Sequence, residues 1–317
     1  MEKKLNIFFS NSISAHKWGG GEKWMVTAAK GLNKRGHKVT LSGKSNSIFL
    51  TKAKESGLEI LPLNIYADYN PLKILHTKWI LKKKKIDVIV LNLNKDIRVA
   101  GIAAKLANIP VIIARNGIQL FSDKWKHKMT IKLVDGIITN SESIRKAYNQ
   151  FSWMDKNKTT VIYNGLSLKR NIDSLDLKTI WNVPGNHLVF VAAGRLTRQK
   201  GFDLLIEAAK ILKDNKRPFT ILIAGTGKDR KSLQKKINLN QLSNVKLIGF
   251  QNNLLSILKA ADYVIMPSRQ EGMPNVVMES MALGKSVLAA KVNGVSELMD
   301  HNKNGFIFEP MEVKPIV

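Results

Sequence analysis

Short apolar segments alternate with longer segments of helical periodicity along the chain, and this alternation limits the fold more than any other feature. The first apolar segment, LNIFFS (5–10), is followed by a glycine-rich loop, KWGGGE (17–22), and then by a helical segment at 22–36. Strands that alternate with helices form parallel sheets, which bind ligands outside the carboxyl ends of their strands. We therefore predict a doubly wound α/β fold.

The alternation stops once, in a polar and irregular stretch at 166–186, and then begins again. The chain is also too long for one ordinary domain. We therefore predict two Rossmann-like domains, 1–168 and 169–317. The predicted strands are 5–10, 37–43, 87–94, 111–115, 136–141, 159–165, 187–194, 219–225, 245–250, 263–268 and 286–290. The predicted helices are 22–36, 96–107, 202–215, 228–239, 254–262 and 275–283.

The chain is strongly basic, with 51 Lys and Arg against 24 Asp and Glu, and most of the excess lies in the first half. Such a charge attracts nucleic acid, phosphorylated glycans or an anionic membrane, although the lysines could equally be solvated surface groups. There is no cysteine, and we find neither a signal-peptide core nor an apolar run of membrane-spanning length. We expect a cytoplasmic protein, with peripheral association at the inner face of the plasma membrane as an open alternative.

The stretch AAGRLTRQKGFDLL (192–205) carries two cations at the end of a predicted strand. The strand ends at Gly194, the next helix starts near Phe202, and Arg195 and Lys200 flank the turn between them. The carboxyl end of a strand and a helix N-terminus together favour anions. The stretch therefore predicts a phosphate site, although surface cations near a turn are also common.

The stretch SRQEGMPNVVMES (268–280) holds two glutamates around a predicted helix start. Glu271 precedes the helix and Glu279 lies about one turn inside it, so they do not form a simple solvent-facing pair. Carboxylates at these places can accept hydrogen bonds from sugar hydroxyls, and free N–H groups suit phosphate or sugar oxygens. The residues that crowd the helix start are Gly272, Met273, Asn275 and Val276.

These motifs, in this order, resemble the retaining GT-B glycosyltransferases of family four, also described as glycosyl transferases group 1. The resemblance includes AGTG (224–227), IGF (248–250), NGFIFEP (304–310), the first-domain glycine loop and VIYNGL (161–166), and it covers nearly the whole chain. It implies a GT-B fold, in which two Rossmann-like doubly wound domains face a central cleft. Residues 1–168 would bind the acceptor and residues 169–317 the nucleotide sugar.

The resemblance also implies site roles. Arg195 and Lys200 would neutralise the leaving diphosphate, Glu271 would hold hydroxyls of the transferred sugar, and Glu279 would bind the ribose. Gly20 and Gly21 would lie close to the diphosphate and the acceptor, and Gly249 and Phe250 would line the base pocket. The implied donor-binding residues are Gly194, Gly225, Gly249, Phe250, Gly272, Met273, Asn275, Val276 and Glu279.

The predicted function is transfer of a sugar, with retention, from a nucleotide-diphosphate donor to a cell-envelope polysaccharide, a lipopolysaccharide or a lipid-linked acceptor. The chain has no Asp-x-Asp sequence and no histidine pair at ligand spacing, so we expect no metal and no cofactor beyond the donor substrate. A different nucleotide-sugar enzyme, such as an epimerase or a phosphorylase, and an inactive family member remain alternatives. A basic nucleic-acid-binding protein is disfavoured because we recognise no base-stacking aromatics or recognition helix.

The sequence departs from the family pattern in two places. Many members carry a histidine after the fourth strand, where this chain reads LNLNKDIRVAG (91–101). Asn94 or Asp96 could stand in for it, with Asp96 as the catalytic candidate, and Lys95 or Arg98 could touch an anionic acceptor. The sequence also stops at Val317, so we expect the family's C-terminal helices to be missing from it.

Two basic segments in the first half have aromatic and aliphatic residues at helical spacing. In 71–86 these are Leu72, Leu75, Trp79 and Ile86. In 120–134 they are Phe121, Trp125, Met129 and Leu133. Such helices can lie on an anionic membrane surface, or their apolar stripe can pack against the sheet.

Overall fold

Two parallel β-sheets, one in each half of the chain, organise the computed structural model, which describes residues 3–117, 124–166, 171–213 and 217–317. The chain divides into two compact units, Met1–Asn164 (unit 1) and Gly165–Val317 (unit 2). The domain boundary expected between residues 168 and 169 lies outside the described residues.

The sheet of unit 1 has seven parallel strands in the order β3-β2-β1-β4-β5-β6-β7. The strand order reverses between β1 and β4, so ligands are expected where the carboxyl ends of these two strands diverge. The strands are β1 Asn6–Asn11, β2 Lys38–Gly43, β3 Glu59–Pro62, β4 Val88–Leu91, β5 Val111–Arg115, β6 Gly136–Thr139 and β7 Thr159–Val161.

Helices cover both faces of this sheet, and two buried apolar clusters fill the space between helices and strands. A π-helical turn, Ile97–Gly101, joins α4 to α5 into one continuous helical segment, close to the helix expected at 96–107. The helices are α1 Gly20–Lys34, α2 Ile48–Glu55, α3 Pro71–Lys83, α4 Asn94–Asp96, α5 Ile102–Leu106, α6 Trp125–Lys132 and α7 Glu142–Asn149.

The sheet of unit 2 has six parallel strands in the order β10-β9-β8-β11-β12-β13. Here the order reverses between β8 and β11, which places the loops after these two strands at the switch point. The strands are β8 Leu188–Ala193, β9 Phe219–Ala224, β10 Val245–Gly249, β11 Tyr263–Met266, β12 Ser286–Ala290 and β13 Phe306–Phe308.

A single large apolar core holds unit 2 together. It includes Leu177 and Val183, so part of the stretch interpreted from sequence as a linker is packed against this unit. The reason is that Leu177 opens a short helix whose N-cap, Asp176, accepts from the N–H groups of Lys178 and Thr179. The helices are α8 Leu177–Ile180, α9 Phe202–Ile211, α10 Arg230–Leu239, α11 Leu254–Ala260 and α12 Asn275–Ala282.

The basic segment 71–86 differs from the expectation of one apolar stripe. Helix α3 ends at Lys83, and Lys85 adopts a φ of 48°, which turns Ile86 into the core. The rest of the expected stripe is exposed, at 76% for Leu72, 56% for Leu75 and 57% for Trp79. Helix α3 instead packs through Ile74, Thr77, Ile80 and Leu81.

The second basic segment behaves in the same way where it is described. Trp125 and Met129 of α6 are exposed, whereas Leu133 is partly buried against the core. Phe121 lies outside the described residues. Within the described parts of the chain, every helix is too short or too polar to cross a lipid bilayer.

Candidate functional site

The loops after β8 and β11 meet through an ion pair between the partly buried Lys200 and the buried Glu271. Nζ of Lys200 lies 2.5 Å from Oε1 of Glu271, and the hydroxyl of Ser268 donates to the same oxygen at 2.7 Å. Glu271 is only 7% exposed and Ser268 is fully buried. Within the described residues, Oε2 of Glu271 receives no hydrogen bond, so the carboxylate is held by one oxygen and can accept from a substrate hydroxyl with the other.

Glycines allow the two loops to approach this closely. Gly201 has a φ of 68°, and a Cβ at this position would lie 1.9 Å from the carbonyl oxygen of Pro267 at the end of the β11 segment. The aliphatic stem of Lys200 runs over Gly194, where a Cβ would meet its Cδ at 3.2 Å. Only glycine fits the first position because both the φ and the space exclude a side chain.

The loop after β9 packs on the loop after β8 in the same manner. A Cβ on Gly225 would lie 1.8 Å from the carbonyl oxygen of Gly194, and one on Gly227 would lie 2.2 Å from that of Leu196. Gly225 was expected to let the backbone approach a nucleotide. In the structure it lets one loop of unit 2 approach another.

Arg269 fastens the loop after β11 to the start of α9. Its Nη1 and Nη2 donate to Oδ1 and Oδ2 of Asp203 at 2.7 Å each, and Nη1 also donates to the carbonyl of Arg198 at 2.9 Å. The hydrogen bonds and charge of Asp203 raise the pKa of Arg269. Burial opposes ionisation of Asp203, but the hydrogen bonds and charge of Arg269 keep the pKa of Asp203 below the ordinary value. Sequence reasoning missed this pair, although Arg269 stands two residues before Glu271.

The backbone around Glu271 is also fixed from the loop after β12. Asn293 donates from Nδ2 to the carbonyl of Glu271 at 2.5 Å, and the N–H of Gly294 donates to the carbonyl of Gly272 at 3.0 Å. Helix α12 then begins at Asn275, close to the expected start. The course of the loop therefore depends on neighbouring loops as well as on its own sequence.

The other residues expected at the donor site surround this arrangement. Met273 and Glu279 are buried, and Asn275 and Val276 are partly buried in the first turn of α12. At the end of β10, Gly249 has a φ of 74° and Phe250 is 62% exposed. Arg195 is exposed at the start of the loop after β8. Among the expected catalytic residues, direct contact joins Lys200 to Glu271.

In unit 1, Asp96 is completely buried, and its carboxylate is hydrogen-bonded to other residues of the chain. Its carboxylate accepts from the N–H of Ser12 at 3.0 and 3.1 Å, from the hydroxyl of Ser10 at 3.3 Å and from the N–H of Leu93 at 3.2 Å. Burial raises the pKa of Asp96. These contacts support a role in holding the loop after β1 against the start of α4.

Arg98, one of the two cations expected near an anionic acceptor in this region, is paired. Arg98 lies 3.3 Å from Oδ2 of Asp68, and Nζ of Lys126 lies 3.2 Å from the same oxygen. Asp68 therefore connects the segment before α3 with α6.

The expected glycine loop of unit 1 leads into α1, which begins at Gly20. Beside it lies Arg115, the last residue of β5, which is only 8% exposed. Its guanidinium carbon is 5.1 Å from the centroid of the Trp24 ring. Sequence reasoning missed Arg115, and the available signal was a cation at the end of the apolar strand VIIAR.

Metal ligands are not grouped in the described ranges, where no set of three or more His, Cys, Asp or Glu side chains could hold an ion together. The ionisable side chains near the two switch points include Lys200 and Glu271 in unit 2, and Arg115 and Asp96 in unit 1.

Both halves of the chain match known protein-family models. Residues 18–170 match the Glycosyltransferase Family 4 model, and residues 173–317 match the Glycosyl transferases group 1 model. Domain composition and the two parallel-sheet α/β units together place the chain among the glycosyltransferases of the GT-B type.

Individual proteins are similar at lower identity. The chain is 28% identical to the Escherichia coli protein named UDP-Gal:alpha-D-GlcNAc-diphosphoundecaprenol alpha-1,3-galactosyltransferase, over 75% of this chain and 66% of that protein, just under two thirds of its length. It is 25% identical to an uncharacterized glycosyltransferase of Haemophilus influenzae, over 99% of this chain and 88% of that one. The crystal structure of Anabaena HepE in complex with UDP and glucose superposes with a TM-score of 0.85 at 24% identity, covering 98% and 88% of the two chains.

Proposed function

We propose that the protein is a retaining glycosyltransferase that moves a hexosyl group from a UDP-sugar to a lipid-linked glycan acceptor. The observation that carries this proposal is the Lys200–Glu271 pair at the switch point of unit 2, with Oε2 of Glu271 left for a substrate hydroxyl. The named activity of the E. coli relative, which uses UDP-galactose and a diphosphoundecaprenol-linked sugar, supports this choice of donor and acceptor classes.

In this proposal the chemistry depends on charge that develops on the donor. The bond between the anomeric carbon and the diphosphate oxygen breaks, and its electron pair leaves with UDP. The new bond forms from the acceptor oxygen on the same face of the sugar, and the hydroxyl proton passes to the departing diphosphate. Lys200 and Arg195 stabilise the negative charge, as preorganised cations do in other transfers. Glu271 positions the sugar through its hydroxyls.

The donor experiment uses the full chain, a panel of nucleotide sugars and a diphosphate-linked sugar acceptor, with products followed by mass spectrometry and the anomeric configuration determined by NMR. We expect transfer from a UDP-hexose with retention, and a large loss in Lys200→Ala. Lys210→Ala, an exposed position of α9, is the matched control. Inversion of configuration, or equal rates for wild type and Lys200→Ala, would refute the proposed mechanism.

The same experiment separates the alternatives. An epimerase would change the sugar of the donor without an acceptor, and a phosphorylase would need inorganic phosphate. An inactive family member would bind UDP without turnover.

We further propose that Arg195 and Lys200 supply the positive charge that a divalent metal would otherwise provide. Activity that disappears in EDTA and returns with Mg²⁺ would contradict this part of the proposal.

We also propose that unit 1 associates with an anionic membrane surface at the inner face of the plasma membrane. Leu72, Leu75 and Trp79 form an exposed apolar face on α3, and Nζ of Lys83 lies 4.8 Å from the Trp79 ring. The lysines on and after this helix provide charge that matches anionic lipid headgroups. The lysines concerned are Lys73, Lys78, Lys82, Lys83 and Lys85.

Vesicle flotation tests this association. The wild-type protein should float with phosphatidylglycerol vesicles and much less with phosphatidylcholine vesicles. The triple change Leu72→Ser, Leu75→Ser and Trp79→Ser should abolish flotation. Serine at Ile211 and Leu239, which are exposed in unit 2, provides the control. Flotation that is independent of lipid charge, or that survives the triple change, would refute the proposal.

A further inference from the structure

The loop after β12 holds the main chain of the segment that carries Glu271. Its residue Asn293 is partly buried, and the Nδ2 atom of this side chain donates to the carbonyl oxygen of Glu271 at 2.5 Å. The N–H of the next residue, Gly294, donates to the carbonyl of Gly272 at 3.0 Å. Two successive peptide groups of the Glu271 segment are therefore bound by two successive residues of one neighbouring loop.

The bond from Asn293 requires an amide at this position. A main-chain carbonyl can only accept a hydrogen bond, so the atom of Asn293 that faces it has to be the amide nitrogen. An ionised aspartate has the same shape but presents acceptors alone, and these would repel the carbonyl. The contact therefore depends on the donor and not merely on a polar side chain of this size.

The main chain at Asn293 has an uncommon conformation. Its φ is 34°, in the left-handed region that few side chains other than those of asparagine and aspartate adopt. A Cβ on the adjacent Gly294 would lie 2.4 Å from the carbonyl oxygen of Gly272, so the two loops touch through their main chains. Strained positions of this kind persist where the surrounding structure holds them, and they are frequent at functional sites.

The loop after β8 holds the other end of the same segment. The N–H of Arg269 donates to the carbonyl of Gln199 at 2.8 Å, and Nε2 of Gln199 donates to the carbonyl of Gln270 at 2.9 Å. The main chain before Glu271 is thus fixed from the loop after β8, and the main chain that follows Glu271 is fixed from the loop after β12. In this series, Asn293 binds the peptide group of Glu271 itself.

This peptide group matters because it helps to set where the carboxylate of Glu271 lies. Oε1 is held by Lys200 and Ser268 at one end of the side chain, and the main chain at the other end is held by Asn293. Together these contacts define the position of Oε2. A displacement of the main chain would move Oε2 relative to a sugar hydroxyl and weaken a hydrogen bond whose strength depends steeply on its geometry.

We propose that Asn293 is a positioning residue for the sugar of the donor, because its amide holds Glu271 where Oε2 can accept from a hydroxyl of the hexosyl group. Asn293 acts through Glu271 and is not a catalytic residue. Its effect should therefore be confined to the hexosyl part of the donor and leave the nucleotide part unchanged. This inference rests on the proposed function for the identity of the donor and for the contact between Glu271 and the sugar.

Calorimetry in the absence of an acceptor tests this separation, with UDP, UDP-galactose and UDP-glucose as ligands of the full chain. Asn293→Gly keeps the left-handed backbone and removes the amide, whereas Asn293→Asp keeps the shape and replaces the donor by an acceptor. For the UDP-hexose that the wild type binds more tightly, the dissociation constant should rise about tenfold in Asn293→Gly and further in Asn293→Asp, as expected when a hydrogen bond to a charged group is weakened. The dissociation constant of UDP should not change.

Turnover provides a second readout. In both variants kcat should fall and KM for the UDP-hexose should rise, because the sugar is less well oriented and less tightly bound. A merely structural role would instead reduce the fraction of folded enzyme. In that case KM and the ratio of the dissociation constants of UDP-hexose and UDP would keep their wild-type values.

Asn302 supplies the matched control. It lies in unit 2, in the turn before β13, and also has a left-handed φ, of 64°. Its side chain is exposed and forms no hydrogen bond with the described residues. Asn302→Gly and Asn302→Asp therefore reproduce the changes in backbone freedom and charge, and they should alter neither affinity nor turnover. Urea denaturation monitors folding, and Asn293→Asp keeps the test decisive if Asn293→Gly does not fold.

The possible results are distinct. Weaker binding of the UDP-hexose with unchanged binding of UDP in the Asn293 variants, and no change in the Asn302 variants, supports the proposal. Equal losses for both ligands, unchanged affinity for both, or a wild type that binds no UDP-hexose overturns it. A wild type that binds the UDP-hexose but transfers no sugar argues against the proposed function alone, whereas wild-type transfer and donor binding in Asn293→Asp argue against this inference alone.

Discussion

The cations at the two switch points, Lys200 in unit 2 and Arg115 in unit 1, differ in the groups that surround them. In unit 2, Lys200 has a carboxylate at 2.5 Å, and Ser268 donates to the same oxygen of Glu271. In unit 1, Arg115 has an aromatic ring and glycines around it, and no acceptor among the described residues. The same type of sheet edge therefore holds a cation with an ion-pair partner in one unit and, among the described residues, a cation without one in the other.

The difference indicates how each site responds to a ligand. A phosphate that binds near Lys200 must share this cation with Glu271, so binding there rearranges an existing pair. At Arg115, by contrast, no ion pair with the described residues would have to be broken. Removal of the cation should accordingly damage the fold in unit 2 more than in unit 1. Lys200 forms an ion pair with the buried Glu271, whereas among the described residues no ion pair joins Arg115 to the buried Glu22.

The largest expected effect comes from Lys200→Ala. The change leaves Glu271 buried without its cation, and we expect a loss of unfolding free energy of roughly 3 kcal/mol. Transfer should fall by about 10²–10³, as for the loss of other preorganised donors. Urea denaturation and initial rates measure the two effects.

The double variant Lys200→Ala, Glu271→Gln sharpens this prediction. It removes both charges, so stability should recover while transfer stays low. Lys210→Ala is the control for the loss of a lysine from the same unit. Full stability of Lys200→Ala on its own would show that the pair is not needed by the fold, and the contrast with Arg115 would fail.

An intermediate effect is expected from Arg269→Met. This variant keeps the Lys200–Glu271 pair but removes the two bonds to Asp203 and the bond to the carbonyl of Arg198. We expect a loss of about 1–3 kcal/mol in unfolding free energy. Turnover should also fall, because the loop that carries Glu271 is less firmly held. Arg198→Met, at an exposed side chain of the same region, should change neither quantity, and a similar loss in both variants would contradict the assignment.

Smaller effects should appear in the pH dependence of the unfolding free energy, with opposite signs in the two units. In unit 2 the pKa of Asp203 lies below its ordinary value of 3.8. Its ionised form therefore contributes stability above that value, and the contribution is lost as the pH falls through the lowered pKa. Urea titrations should show the stability difference between wild type and Asp203→Asn shrinking on acidification below about pH 4. A difference that is constant with pH would contradict this.

The buried carboxyl of unit 1 should behave in the reverse way. Burial raises the pKa of Asp96 above 3.8, so its contribution is complete below 3.8 and is lost as the pH rises through the raised pKa. The stability of wild type relative to Asp96→Asn should therefore fall as the pH increases. The same urea titrations measure this, and a relative stability that rises with pH would show that the carboxylate is the favoured native form.

The parallel sheets could be predicted from sequence because buried parallel strands are continuous apolar runs. Strands 111–115 and 286–290 have the expected bounds, and the other predicted strands begin within one residue of the expected start but most differ in length. Strand β3 was not predicted because Glu59–Pro62 is short and only partly buried. The exposed face of α3 could not be predicted either, since Leu75 and Trp79 have the same spacing as core residues. Which apolar face is buried depends on where the helix lies against the sheet.

The candidate site also contains some residues that could be predicted from sequence and others that could not. Lys200 and Glu271 could be found because a motif brings each to the end of a strand, and the topology then brings the strand ends together. Arg269, Asp203 and Arg115 could not be found in this way. Asp203 and Arg269 are 66 residues apart, and the bond between them depends on the meeting of two loops. Arg115 is distinguished by having no ion-pair partner in the part of the chain that the structure describes, which a sequence does not reveal.

The close contacts of Gly201, Gly225 and Gly227 have a consequence for engineering. Since main chain meets main chain at these three points, part of what fixes the course of the loops does not depend on the side chains that project from them. Libraries that hold these glycines constant and randomise the exposed Arg195 or Phe250 should therefore yield a high proportion of folded variants. Such libraries could be screened directly for altered sugar preference, without a preceding round of stabilisation.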